Sequence, residues 1–163
     1  MTNAYHPEAW RELFVMLGGS VAALTGLLFV ATSIHIGYFK KAPHWELRAF
    51  VNTFVLIGLL IEASLVLAPQ PRVALGAELI AVNLFLLVFL PVRLFVHLSR
   101  LKAKMPTARL VAGMAAWTLG AGGGASLIAE AGGGMYLVTL SCLGLIWICI
   151  LNAWSLMTAT YRR

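Results

Sequence analysis

Aspartate is absent from this chain of 163 residues, and charge of either sign is scarce. Only 11% of residues are charged, and the six acids are all glutamates: Glu8, Glu12, Glu46, Glu62, Glu78 and Glu130. A soluble domain carries roughly 25% charged residues and 45–50% apolar ones. Here 61% are hydrophobic and the mean hydropathy is +0.89. So few charges exclude a disordered chain, a soluble nucleic-acid binder and an ordinary cytosolic enzyme, and the composition reads as that of a membrane protein. A basic leading segment is missing as well. Glu8 and Glu12 flank Arg11 there, so the first apolar run is expected to stay in the bilayer and not to be cleaved. Cysteine is limited to Cys142 and Cys149. Seven residues apart on one helix, their Cα atoms would stand about 10.5 Å from each other, too far for a disulfide.

Long apolar runs dominate what remains. The expected architecture is all-α: a polytopic transmembrane bundle of five spans, near 11–38, 46–68, 72–98, 108–130 and 135–159, in one domain covering 1–163. Pro69-Gln70-Pro71 separates the second span from the third, and Gly132-Gly133-Gly134 makes a tight turn between the last two. No ten-residue alternation suggests a β-barrel, and only helices or barrels satisfy backbone groups in lipid. Pro91 falls inside the third span, where it frees the carbonyl of Leu87 and predicts a kink.

Basic residues then set an orientation. Lys40, Lys41, Arg48, Arg100, Lys102, Lys104, Arg109, Arg162 and Arg163 fall on one side of the five spans, nine against the two of the other side, Arg11 and Arg72. The positive-inside rule places the N-terminus outside and the C-terminus in the cytoplasm. Tyr5, Trp10 and Tyr136 would mark the outer interface, and Tyr38, Trp45 and Tyr161 the inner one. The net charge of +6 suits a cytoplasmic face lying on anionic lipid and calls for no nucleic acid.

Glu62 and Glu78 are the sharpest polar feature. They stand symmetrically about residue 70, about 10–12 Å from the turn along each helix. Carboxylates in hydrocarbon are costly and normally face a bundle interior or water. With Glu12 and Glu130 at the rim, they form a candidate outward-opening proton or cation site. The alternative is a set of glutamates that hydrogen-bond helices together, with Arg72, Arg11 or Ser64 as partners. Along the second span, Arg48, Asn52, Val55, Leu59 and Glu62 share one face. With Asn83, Asn152, His35, Arg93 and His97 they sketch a polar track toward the basic side, interrupted at Val55 and Leu59. For Arg93 and His97, reaching out to the headgroups is the simpler reading.

Small residues recur every three or four positions. Gly18, Gly19, Ala22 and Gly26 mark the first span; Gly113, Ala116, Gly120 and Gly124 mark the fourth. Such faces let helices approach closely. They serve either a homo-oligomer interface or packing within one subunit. Catalysis has little support: a nucleophile elbow, a phosphate loop and a dinucleotide fingerprint are all missing, and Ser126 beside Glu130 more simply bonds its own helix. No cofactor and no metal are expected, because no Cys/His spacing fits one.

Two stretches, AALTGLLFVATSIHI at 22–36 and LVLAPQPRVALGAELI at 65–80, resemble a family of small bacterial integral membrane proteins sometimes labelled "modulator of FtsH protease". The resemblance covers about the first half of the chain. It implies a multi-pass protein of the bacterial inner membrane with an accessory role beside a larger membrane partner. It brings no functional residues with it. The expectation is a non-catalytic, self-associating accessory or regulatory protein; the alternative is a homo-oligomeric proton or cation channel or transporter.

Overall fold

The computed structural model describes residues 3–34, 43–101 and 107–161, with side chains over 3–34, 47–96 and 108–155. Five long helices follow two short 3₁₀ turns: α1 (Arg11–Ile34), α2 (Pro43–Leu67), α3 (Arg72–Leu101), α4 (Thr107–Ala129) and α5 (Gly134–Tyr161). All five contain a stretch long and apolar enough to cross a membrane. At 1.5 Å per residue even the shortest, α4, runs about 35 Å, more than a hydrocarbon core of about 30 Å. The Pro-Gln-Pro break ends α2 and precedes α3 as expected. Helix α3 continues through Pro91 without interruption. His35, Lys40 and Lys41 lie outside the described residues, as does the side chain of His97.

Helices α2 to α5 close into a ring. Each packs on its neighbours in sequence, and α2 also packs on α5; α1 lies outside, mainly against α2. The periodicity accounts for this. Leu75, Leu79, Asn83, Leu86, Leu90 and Leu94 of α3 are buried, at spacings of four with one of three, so one narrow stripe faces the bundle axis. Helix α1 buries a thinner stripe of Phe14, Leu17, Val21 and Leu28. Large apolar groups such as Phe29, Phe95, Trp147 and Trp154 cover the outside. An apolar exterior of this extent suits lipid and not water.

Close helix contacts depend on glycine. At Gly76 of α3 and Gly124 of α4, a Cβ on either residue would stand 2.7 Å from the other's carbonyl oxygen, so the two backbones touch. Trp117 of α4 reaches across the ring to α2, where it packs over Gly58 together with Leu86. Helix α4 ends in a left-handed cap: Glu130 has φ 53°, and the Ala131 N–H bonds the Ser126 carbonyl at 3.3 Å. Gly132 and Gly133, with φ of 86° and 92°, complete the reversal into α5.

Candidate functional site

Glu62 is fully buried at the centre of the ring. Its Oε1 accepts a hydrogen bond from Asn83 Nδ2 of α3 at 2.7 Å. Its Oε2 accepts one from Cys142 Sγ of α5 at 3.1 Å. Asn83 Nδ2 also donates to the Leu79 carbonyl at 2.8 Å, which holds the amide in place. The fourth helix completes this polar layer. Gly120 of α4 lies directly against Asn83 Oδ1, and Ser141 of α5 donates to the Ala116 carbonyl of α4 at 2.7 Å. One carboxyl group therefore ties α2 to α3 and α5, while Gly120 makes room for the amide that bridges them. Burying a carboxylate costs several kcal/mol unless its oxygens are bonded; here each oxygen has a donor.

The other glutamates stand apart from this layer. Neither Glu62 oxygen bonds Glu78, which is half-buried, with Oε2 lacking a hydrogen-bond partner. Glu130 pairs with Arg72, joining the end of α4 to the start of α3 at the rim. Glu12 is exposed. Ser126 does not engage Glu130. Its hydroxyl donates to the Ala131 carbonyl and accepts from the Gly134 N–H at 2.8 Å, so it fastens the turn. The N-terminal segment covers that same end: the Tyr5 hydroxyl accepts from the Gly133 N–H at 3.2 Å, and Trp10 meets Tyr136 edge-on at 4.7 Å.

At the opposite, basic end the four ring helices separate. A cavity of about 80 Å³ opens between them, walled by Val55, Leu90, Leu94, Met114, Trp117 and Leu145. Arg48, Arg109 and Asn152 supply its polar groups. Arg109 Nη1 donates to Asn152 Oδ1 at 3.0 Å and Ser155 Oγ at 3.3 Å. Arg48 lies fourteen residues before Glu62 on the same face, about 21 Å along the axis. Between them Asn52, Val55 and Leu59 are buried, and Trp117 crosses the bundle at the level of Gly58. The polar track thus has two ends with an apolar plug between them. Arg93 is not part of it: the side chain is exposed and lies over the Phe50 ring, 5.7 Å from its centroid.

The small-residue faces divide between two roles. Ala116, Gly120 and Gly124 pack inside the subunit, and Gly18 meets Ala63 of α2 at 3.4 Å. Gly19, Ala22 and Gly26 are exposed on α1. A Cβ at Gly113 would meet nothing within 4 Å, and the residue lines the cavity. Sequence reasoning missed Cys142 as a partner of Glu62 and missed the cavity. Eighty residues separate the first pair, and a void between four helices has no linear signature. No protein-family model, curated protein or solved structure matches this chain.

Proposed function

We propose that this is a non-catalytic, multi-pass protein of a bacterial inner membrane that works as an accessory or regulatory component, in contact with further copies of itself and with a larger membrane partner. Its basic end, with nine of the eleven lysines and arginines flanking the spans, faces the cytoplasm and anionic lipid. The observation that carries the reading is how Glu62 is held. Both carboxyl oxygens are bonded, by donors from two other helices, in a fully buried layer. A carboxyl group held in this way fixes helix positions and is poorly placed to exchange ions with water. Exposed apolar flanks, with Gly19, Ala22 and Gly26 on the peripheral α1, offer contact surface to neighbouring chains. The resemblance of 22–36 and 65–80 to the FtsH-modulator family supports the same role.

Reconstitution into liposomes loaded with a pH-sensitive dye tests this reading. The expected result is proton leakage equal to that of protein-free vesicles, for wild type and for Glu62→Gln alike. Dissipation of a pH gradient by wild type, lost in Glu62→Gln, would overturn it in favour of a proton or cation conductor built on Glu62 and Glu78.

A further inference from the structure

Arg93 stands at the basic end of the seam between α2 and α3, with its side chain exposed. It lies 21 residues beyond the start of α3, about 31 Å along the axis. That length matches a hydrocarbon core of about 30 Å and puts the guanidinium at the headgroup boundary of the basic side. Among the described residues no carboxylate pairs with it. Its contact is the Phe50 ring, 5.7 Å from Cζ to centroid. A ring holds a guanidinium by its face and occupies none of its five N–H donors. Arg72 and Arg109 differ in this respect, since Arg72 pairs with Glu130 and Arg109 bonds Asn152 and Ser155.

Phe50 begins a row of four rings along the same seam. Its centroid lies 4.4 Å from that of Phe54 on α2; Phe54 meets Phe89 of α3 at 5.5 Å, and Phe89 meets Phe85 at 5.3 Å. Successive rings tilt by no more than 37° from one to the next. Arg93 faces Phe50 in the antiparallel register in which Phe89 faces Phe54, so the charge continues the row. Phe54 and Phe89 pack against the buried core, which backs the row with protein. Yet Phe50, Phe54 and Phe89 are only half-buried, and Phe85 is 60% exposed. From Arg93 to Phe85 the row spans about 12 Å of helix.

We propose that this seam holds one anionic phospholipid of the leaflet at the basic end, with its phosphodiester oxygens on Arg93 and an acyl chain along Phe50, Phe54, Phe89 and Phe85. The inference rests on the reading that the basic end faces anionic lipid, and it assigns that contact to one place on the surface. Charge complementarity selects the occupant. The guanidinium fork matches phosphate oxygens two at a time. Its orientation is set in advance by the ring beneath it, so less freedom is lost on binding than at an arginine that reaches out unsupported. A zwitterionic lipid offers the same phosphate but brings a second cation beside the guanidinium, which offsets part of the attraction. The exposed ring surface below the charge takes the chain.

Native mass spectrometry of the full chain, released from maltoside micelles, reads retained lipid directly. The protein is titrated with equal amounts of phosphatidylglycerol and phosphatidylcholine carrying the same acyl chains. The expected result is one phosphatidylglycerol held per chain, preferred over phosphatidylcholine by about tenfold. Arg93→Gln should abolish the preference. Arg93→Lys keeps the charge without the fork and should restore only part of it. Phe85→Ala should weaken retention of both lipids alike, through lost chain contact. Lys104→Gln removes one charge from the same side of the spans and should leave the preference unchanged. Elution of each variant as a single helical species shows that the fold is intact. A preference that survives Arg93→Gln, or that falls equally in Lys104→Gln, would overturn the site and leave the basic end on anionic lipid. Equal retention of the two lipids by wild type would overturn both.

Discussion

Asn83 occupies the position on which the interior of this bundle turns. Its amide nitrogen reaches the Glu62 carboxyl and its own Leu79 carbonyl, and its oxygen rests on Gly120. Removing either partner leaves a polar atom buried with no replacement. Glu62→Ala should therefore lower unfolding stability by about 2–4 kcal/mol, from the cavity together with the loss of the acceptor that Asn83 and Cys142 share. Asn83→Ala should cost about 1–3 kcal/mol, because the carboxyl group keeps Cys142. Equilibrium unfolding of the two single variants and the double in mixed micelles measures both. The double variant should cost less than the sum, since the two residues satisfy each other. Additive losses would show that the pair is not coupled. The spacing of Glu62 and Glu78 about the turn made both stand out in the sequence as carboxyls within apolar helices. That Glu62 bonds Asn83 and Cys142, and not its counterpart, depends on the rotation of three helices about their axes, which residue spacing on one helix does not report.

Helix α4 shows how far a pattern of small residues can be read. Glycines at 120, 122, 123 and 124 look equivalent in the sequence, yet they meet different surroundings. Gly120 abuts Asn83 and Ser141, Gly123 abuts Val138 of α5, and Gly124 abuts the backbone of α3, whereas Gly122 has nothing within 4 Å. Gly120→Ala should destabilise by about 1–3 kcal/mol through overpacking against the Asn83 amide oxygen and the Ser141 hydroxyl. Gly122→Ala should be neutral or stabilising by up to about 1 kcal/mol, from helix propensity alone. Thermal unfolding of the two variants side by side separates these outcomes, and equal behaviour would contradict the packing. Helix α1 is the counterpart. Its face of Gly19, Ala22 and Gly26 is exposed while Gly18 is the one that meets α2. On the self-association reading, Gly26→Leu should shift an oligomer toward monomer in analytical ultracentrifugation and leave helix content unchanged. An unchanged sedimentation profile would remove that face from any interface between copies.

For the molecule as a whole, the asymmetry of basic residues predicts a labelling pattern. Ala131 and Ala108 are both exposed, at opposite ends of α4 and its cap. Ala131→Cys should react with a membrane-impermeant maleimide on intact spheroplasts, and Ala108→Cys only after lysis; the native Cys142 and Cys149 are buried and should stay silent. The reverse pattern would invert the orientation. Five apolar stretches, the Pro-Gln-Pro and triple-glycine breaks and the nine-to-two charge bias were all legible in the linear chain, because helix length, turn chemistry and loop charge are local properties. Tertiary structure alone decided the rest. It closed α2 to α5 into a ring with α1 outside, gave Glu62 its two donors, assigned Gly120 and Gly124 to the interior, and left Gly113 facing a void between Arg48 and Arg109. Each of these follows from which faces of separate helices meet, and that is fixed by side-chain complementarity across the whole bundle and not by the order of residues along any one helix.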